Sequence, residues 1–273
     1  MKTLYISDLD GTLLRSDVTL SEFTCRTVAE LTGRGELISF ATARSRTTAA
    51  KVTAGLTVPL PIVAYNGAFI VDSQSGEILH KCLFSREDTE RIYREFTSRG
   101  LSPVVYHISG GRELYSYNER TISPQTRDFV ESRRPDPRDD PLQGEGGMTD
   151  GEVFYFNCIG DKDRLLGAYE ELRDSFEVLF YDDIYSSERW LEVMPKGADK
   201  AAAALRLKEM LGCGRMVAFG DAVNDISLFR AADESYAVAN ADERLKAEAT
   251  GVILSNDEDG PARKLRELCG EHF

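Results

Sequence analysis

The 273-residue chain has few of the residues on which several common kinds of site depend. It contains only three histidines, at no spacing typical of a zinc site, and its five cysteines include no CxxC pair. Because scattered cysteines in odd number do not suggest a disulfide framework, we expect reduced thiols, as in a cytoplasmic protein. The N-terminus lacks the apolar run of a signal peptide, and no stretch has the length and apolarity of a membrane span.

Positive charge is also scarce, because 33 Lys and Arg residues stand against 46 Asp and Glu residues, a net charge of −13. Binding to nucleic-acid phosphates or to an anionic membrane needs a basic surface, so we expect neither partner. The hydrophobic fraction of 42% is ordinary for a globular protein, which argues against disorder. If the substrate is a phosphate ester, a local cation has to overcome the repulsion of this acidic chain.

Strand and helix patterns alternate at both ends of the chain. Residues 2–8 are mostly apolar, which is typical of a strand buried on both faces, and a helical pattern at 21–34 and a second strand at 37–42 follow. The same alternation returns after Leu191, with an alanine-rich helix at 199–211 and a buried strand at 215–220. Alternation of this kind predicts an α/β fold with a doubly wound parallel sheet.

The middle of the chain follows a different pattern. A charged helix is predicted at 86–99, and Gly110-Gly111 predicts a hairpin whose Arg112 and Tyr115 either select a substrate or only shape the unit. Residues 134–151 are rich in Pro, Asp and Gly, which is typical of a mobile loop.

This change of pattern predicts two domains. A discontinuous Rossmann-like core is expected from residues 1–83 and 188–273, with an inserted α/β cap domain of residues 84–187. An insert of about 100 residues is large enough to form a domain with its own core.

Two aspartates, Asp8 and Asp10, follow the first predicted strand in the segment DLDGT. Side chains two residues apart on an extended chain point to the same side, so these carboxylates can converge. Such a pair repels unless a cation or a proton intervenes, and Mg²⁺ is suited to one or two carboxylates. One carboxylate could attack phosphorus while the other transfers a proton. Asp-Gly-Thr is also ordinary turn chemistry, so this motif alone leaves both interpretations open.

Two further positions are candidates for binding an anion. Thr42 ends the second strand just before a helix, where a hydroxyl and backbone N–H groups can hold phosphate, and Arg44 could clamp an anion. Lys200 lies in the first turn of a helix that Asp199 is expected to cap, where a lysine opposes the helix dipole. Each is also compatible with a simple cap or a solvated surface residue, and Lys196 competes with Lys200 for the same role.

The segment GDAVND is the most specific of the motifs. A buried strand leads to Asp221, and Asn224 and Asp225 follow within one turn. A plain helix cap would not need two aspartates and an asparagine, whereas acidic and amide oxygens on a strand-to-helix turn are suited to holding a metal.

In this order, the motifs resemble those of the haloacid dehalogenase superfamily, namely DxDGT, a Thr or Ser after the second strand, a downstream Lys and GDxxND. The similarity is closest to the Cof-type, sugar-phosphatase-like branch, through DLDGTLL, PKGADK, GDAVNDISL and the segments 239–241 and 256–260. The chain departs from the family at Ala43 and Ala239, where glycine is common. Both residues are small, and neither change removes a functional group. The insert lies where that branch carries its α/β cap.

The resemblance implies a magnesium-dependent phosphatase that hydrolyses a small phosphomonoester, such as a sugar phosphate, through an aspartyl phosphate. It implies Asp8 as nucleophile and Asp10 as acid and base. It further implies that Mg²⁺ is bound by Asp8, by the backbone carbonyl of Asp10 and by Asp221. Phosphate is then bound by Thr42, Ala43, Lys200 and Asn224, and Asp225 and Arg44 support these residues. A phosphotransferase or phosphomutase on the same fold, or a non-catalytic phosphate-binding protein, are the alternatives, and the oligomeric state is not predicted.

Overall fold

The computed structural model describes residues 2–56, 58–182 and 189–270, which divide into two compact units. The first comprises Met1–Lys81 and Ala198–Phe273, and the second comprises Cys82–Gly197. The predicted boundary at 187/188 lies outside the described residues. The second unit continues to Gly197, beyond the predicted boundary, because the strand Arg189–Met194 pairs with two strands of that unit.

Fourteen strands occur among the described residues. They are β1 (Thr3–Ser7), β2 (Leu37–Phe40), β3 (Ile62–Ala64), β4 (Phe69–Val71), β5 (Ile78–Lys81), β6 (Val104–Ser109), β7 (Arg112–Asn118), β8 (Asp139–Leu142), β9 (Glu152–Gly160), β10 (Glu177–Asp182), β11 (Arg189–Met194), β12 (Arg215–Gly220), β13 (Glu234–Val238) and β14 (Gly251–Ile253).

Nine α-helices occur in the same part of the chain. They are α1 (Glu22–Gly33), α2 (Arg46–Val52), α3 (Arg86–Ser98), α4 (Pro124–Glu131), α5 (Lys162–Leu172), α6 (Lys200–Met210), α7 (Ile226–Ala231), α8 (Glu243–Glu248) and α9 (Gly260–Leu268). None of the helices in the described ranges is long and apolar enough to cross a membrane.

A five-stranded parallel sheet in the order β14-β13-β12-β1-β2 forms the centre of the first unit. Helices pack on both faces, since Leu207 of α6 and Leu228 of α7 belong to one apolar cluster and Val28 of α1 and Leu265 of α9 belong to another. The predicted doubly wound α/β fold is therefore confirmed. The chain leaves β1 toward β2 on one side and places β12 on the other, and ligands of such sheets bind where the strand order reverses.

The first unit also contains a short antiparallel sheet, β3-β4-β5. The turn between β3 and β4 is Tyr65–Gly67, as the Asn-Gly pair predicts. Both Tyr65 and Asn66 have positive φ angles, 51° and 52°, which non-glycine residues seldom adopt. This turn lies close to the candidate site described below.

The second unit is built on a six-stranded sheet in the order β10-β11-β9-β6-β7-β8. All of its strand pairs are antiparallel except β7 with β8. One apolar cluster joins the sheet to its helices, with Phe96 of α3 and Leu165 of α5 against Phe156 and Leu191 of the sheet.

One expectation for the second unit is wrong, and of the two alternatives left open for Tyr115 the structure favours the second. Residues 134–151 are not loop throughout, because β8 pairs in parallel with β7 inside this stretch. An ion pair between Arg134 and Asp139, at 2.8 Å, supports the added strand. The candidate selector Tyr115 is 1% exposed and packs on Tyr106 and Tyr117, so it belongs to the interior of the unit.

All five cysteines are free thiols, as predicted.

Candidate active site

Two adjacent strands of the parallel sheet deliver two aspartates to the same edge. Asp8 follows β1 and Asp221 follows β12, which is the direct neighbour of β1. A hydrogen bond of 2.9 Å from the Asp8 N–H to the Phe219 carbonyl continues the pairing of β1 with β12 up to this edge. Because the carboxyl ends of parallel strands meet at one edge, residues 213 positions apart become neighbours (221 − 8 = 213).

Lys200 lies between two carboxylates at this edge. Its ammonium group donates to Asp8 Oδ1 at 2.5 Å and to Asp225 Oδ1 at 2.7 Å, and its side chain is 1% exposed. It begins α6, whose N-cap is Asp199, as predicted: the Asp199 carboxylate accepts hydrogen bonds from the first turn of the helix. The competing Lys196 is exposed and belongs to the second unit.

Asp225 fixes the turn that carries Asp221. Asp225 is fully buried, and its Oδ2 accepts hydrogen bonds of 3.1 Å from the N–H groups of Asp221 and Ala222. From the other side, the Thr12 hydroxyl donates to Asp221 Oδ1 at 2.7 Å. Gly11, at φ +74°, allows this approach, because a Cβ there would lie 2.4 Å from Asp221 Oδ2.

The pKa values of the buried groups indicate a shortage of positive charge. Burial, followed by the neighbouring carboxylates, raises the pKa of Asp8 well above its usual range, although Lys200 opposes the change. Burial and then Asp225 raise the pKa of Asp221 to about 6. For Lys200, burial would lower the pKa, but Asp225 and Asp8 outweigh it and raise the pKa. The single positive charge of Lys200 is thus set against the three clustered carboxylates of Asp8, Asp221 and Asp225.

The acidic cluster has the dimensions of a metal site. Asp8, Asp221 and Asp225 each offer a carboxylate oxygen, and these three oxygens lie within 4.8 Å of one another. Oxygen donors of this kind are suited to hard divalent cations. A cation at this point would also supply the missing positive charge, so the residues present fit a divalent metal.

The carboxylate of Asp10, which is expected to act as acid and base, is paired with an arginine. It forms a two-point ion pair with Arg44, through Nε at 2.7 Å and Nη2 at 2.5 Å. The Asp10 side chain is 46% exposed and is not a member of the acidic cluster. Arg44, proposed from the sequence as an anion clamp, therefore contacts an acidic residue of the site itself.

The remaining predicted phosphate contacts lie around the same edge. Thr42 is fully buried, and its hydroxyl oxygen accepts a hydrogen bond of 3.1 Å from the Arg44 N–H, whereas Ala43 beside it is exposed. The Asn224 amide donates to Asn66 Oδ1 at 3.1 Å, while its own Oδ1 is buried and has no hydrogen-bond partner among the described residues.

Four residues near the site were not given a role from the sequence. They are Thr12, which holds Asp221, Asn66, which holds Asn224, and Asn240 and Asn256, which contact the turn after Asp8. The segments 239–241 and 256–260 were noted only for their resemblance, and Asn66 only as a turn residue. Their contacts join distant segments, which no local pattern indicates.

Comparison with known proteins identifies the family and the fold of the chain. A family model described as haloacid dehalogenase-like hydrolase matches residues 5–265. A solved haloacid dehalogenase-like hydrolase from Bacteroides thetaiotaomicron superposes with a TM-score of 0.77 at 25% identity, covering 98% of this chain and 100% of that one.

Two curated relatives carry functional names. The chain is 27% identical, over the full length of both proteins, to the 5-amino-6-(5-phospho-D-ribitylamino)uracil phosphatase YwtE of Bacillus subtilis. It is 29% identical to the HMP-PP phosphatase of Shigella boydii, covering 91% of this chain and 92% of that protein.

The chain belongs to the haloacid dehalogenase-like hydrolase family, since the family model covers nearly all of it. The resemblance to the Cof-type branch is confirmed, and with it the classification of the chain as an enzyme of this hydrolase family.

Proposed function

We propose that this chain is a magnesium-dependent phosphatase that hydrolyses a small phosphomonoester through a transiently phosphorylated Asp8. The observation that carries the proposal is the environment of Asp8, which is buried, bonded to Lys200 and grouped with Asp221. Binding of phosphate alone needs no nucleophile, and an acidic group would repel it. A carboxylate held between a lysine and a candidate metal site is suited to attack phosphorus.

In the first half of the proposed reaction, an Asp8 oxygen forms a bond to phosphorus as the ester P–O bond breaks. Asp10, protonated once its ion pair with Arg44 opens, gives that proton to the departing oxygen, which leaves as an alcohol. In the second half, a water oxygen bonds to phosphorus and the Asp8–phosphorus bond breaks. Asp10 takes the proton of that water, so both aspartates return to their starting states.

Four groups are suited to hold the phosphoryl oxygens. The Thr42 hydroxyl oxygen accepts from Arg44 N–H, so its own proton can be directed to a phosphoryl oxygen. The Lys200 ammonium, already within 2.5 Å of Asp8, can stabilise the charge that develops there. Asn224, aligned by Asn66, and the main chain at Ala43 complete the proposed set.

Mg²⁺ would be held by Asp8, Asp221 and the main-chain carbonyl of Asp10, with Asp225 supporting Asp221 from behind. When bound, the ion neutralises charge on the phosphoryl group and on the carboxylates. It also resolves the conflict between an acidic chain and an anionic substrate, because positive charge is concentrated at one point.

The names of the two relatives support a small phosphorylated metabolite as the substrate class. One relative is named for a ribitylamino-uracil phosphate and the other for HMP-PP. Both names specify a small phosphorylated compound rather than a phosphoprotein or a nucleic acid, in line with the net charge of −13.

The test is a screen of the purified chain against sugar phosphates, nucleotides and cofactor phosphates, with Mg²⁺ and with a chelator. We expect inorganic phosphate to be released only with Mg²⁺. We also expect Mg²⁺ to raise the thermal unfolding temperature of the wild type, but not of Asp221→Asn, a readout independent of turnover. No release from any phosphomonoester would reject the proposal. Transfer of the phosphoryl group to an added sugar, with no inorganic phosphate released in its absence, would identify a phosphotransferase instead.

A further inference from the structure

The turn that follows Asp8 is held by two asparagines from distant segments. The Asn240 amide donates to the Gly11 carbonyl at 2.8 Å, and the Asn256 amide donates to the Leu14 carbonyl at 3.0 Å. The two asparagines are themselves joined, because the Asn256 N–H donates to Asn240 Oδ1 at 3.1 Å. Two hydrogen bonds thus connect the loops after β13 and β14 to the turn of residues 9–14, and a third joins these two loops to each other.

That turn requires an external restraint. Its own closure includes a hydrogen bond of 2.8 Å from the Leu14 N–H to the Leu9 carbonyl, but Asp10 and Gly11 inside it do not have helical angles. Gly11 has a φ of +74°, and glycine has the widest range of allowed backbone angles of any residue. The peptide plane after Gly11 could therefore rotate at low cost in free energy. Asn240 bonds to the oxygen of this peptide plane.

The loop that carries Asn256 is rigid enough to act as an anchor. Across this loop, Glu258 Oε2 accepts hydrogen bonds from the Ser255 N–H at 3.2 Å and from the Ser255 hydroxyl at 2.7 Å. Gly260 packs against the residue after β14 so tightly that a Cβ would lie 1.9 Å from the Leu254 carbonyl oxygen. Asn256 is 3% exposed, and both its backbone N–H and its side-chain amide are used in the contacts above.

We infer that Asn240 and Asn256 are positioning residues for Asp10, an inference that rests on the proposed function. They contact neither of the proposed catalytic carboxylates. They fix the peptide planes on the C-terminal side of Asp10, so that its carboxylate can reach the leaving oxygen when it gives its proton. A displacement of about 1 Å in a catalytic group can cost on the order of 100-fold in rate.

Asn240→Ala is the variant of choice, because Asn240 is exposed and its truncation opens no cavity. The readout is kcat/KM for two substrates, an alkyl phosphomonoester and p-nitrophenyl phosphate. This parameter reports the first half of the reaction, in which an alkoxide needs a proton to leave and p-nitrophenolate does not. We expect kcat/KM to fall about 10- to 100-fold for the alkyl ester and by less than about 3-fold for the nitrophenyl ester.

Asp257→Ala is the matched control. Asp257 belongs to the same loop and tethers the same strand-to-helix segment, through hydrogen bonds of 2.9 and 2.7 Å to the N–H and hydroxyl of Ser16. It contacts neither the Gly11 nor the Leu14 carbonyl, so we expect both substrates to change by less than about 3-fold. Asn256→Asp, which retains the size of the side chain but removes its donor, should reproduce the selective loss.

The possible outcomes separate this inference from the proposed function. If the wild type is active and neither Asn240→Ala nor Asn256→Asp changes kcat/KM for either ester, the inference is overturned but the proposed function is not. An equal loss on both substrates, accompanied by a lower unfolding temperature, would also overturn it, because it would show a structural role. A wild type that releases phosphate from these two esters and from every other phosphomonoester of the screen to no measurable extent with Mg²⁺ would reject the proposed function and the inference together.

Discussion

Each of the two units contains a buried cation between two carboxylates. In the first unit, the lysine cluster consists of Lys200, Asp8 and Asp225. In the second unit, the arginine cluster consists of Arg138, Asp136 and Glu113. The cations are similarly buried, with side-chain exposures of 1% and 7%.

The two clusters differ in how they are assembled and balanced. Arg138 forms a two-point contact with Asp136, only two residues away, at 2.9 and 2.6 Å. Lys200 instead contacts Asp8, 192 positions away in the chain, and Asp225, 25 positions away. A third carboxylate, Asp221, lies close enough to Asp8 and Asp225 for the three to share one metal ion. The first arrangement fastens a loop, whereas the second concentrates negative charge at the edge of a sheet. Burial of an ion pair is therefore not by itself a sign of catalysis.

The largest expected difference between the clusters concerns their aspartates. Asp8→Asn should reduce turnover by on the order of 10⁴-fold or more, because an amide cannot replace the nucleophile. Asp136→Asn, the matched change in the arginine cluster, should alter kcat per folded molecule by less than about 3-fold. Phosphate release, normalised to folded protein by circular dichroism, measures both. Substantial turnover by Asp8→Asn would contradict the assignment of the nucleophile.

The second comparison concerns two ion pairs with arginine. Asp10 pairs with Arg44 in the first unit, and Asp139 pairs with Arg134 in the second. Asp10→Asn should slow turnover by about 10²- to 10⁴-fold, the usual contribution of a general acid and base. Asp139→Asn removes an equivalent ion pair and should leave kcat nearly unchanged. Similar losses for both variants would show that the Asp10 pair has only a structural role.

The third comparison separates stability from turnover. Lys200→Ala removes the cation that contacts the buried Asp8 and Asp225, and Arg138→Ala removes the cation that contacts the buried Asp136 and the partly exposed Glu113. Because each change breaks a buried ion pair, each should cost about 3–5 kcal/mol in the free energy of unfolding. Only Lys200→Ala should also reduce kcat of the folded fraction, by on the order of 10²- to 10³-fold, as for the loss of one preorganised donor. Urea unfolding and phosphate release give the two quantities. The exposed Lys196→Ala should change neither, and a damaging effect of that variant would reassign the lysine.

The smallest effect concerns His107 in the second unit. Its Nε2 lies 2.9 Å from the Ser116 hydroxyl, which donates to Asp140 at 3.0 Å, and burial lowers the pKa of the imidazole although Asp140 and Asp150 oppose the change. A lowered pKa means that the unfolded chain binds the proton more readily. The free energy of unfolding should therefore fall as the pH drops through about 6.5. Urea unfolding should show a shallower pH slope for His107→Gln, and an unchanged slope would contradict the assignment.

Local patterns were sufficient for most of the elements. The N-cap Asp199 and the hairpin at Gly110-Gly111 lie where the sequence predicts, because each depends on residues within one turn. The errors fall where pairing is not local. The strand β8 inside residues 134–151 and the continuation of the second unit through β11 each depend on hydrogen bonds to strands elsewhere in the chain.

The same distinction applies to the candidate site. The sequence by itself determined which side chains could do the chemistry, since the motifs at Asp8 and Asp221 end buried strands and parallel strands end at a shared edge. Only the tertiary structure decided their partners. Arg44 pairs with Asp10, Lys200 rather than Lys196 reaches Asp8, and Asn240 holds the Gly11 carbonyl. Each of these contacts joins segments distant in the chain, and their meeting depends on the packing of the whole sheet.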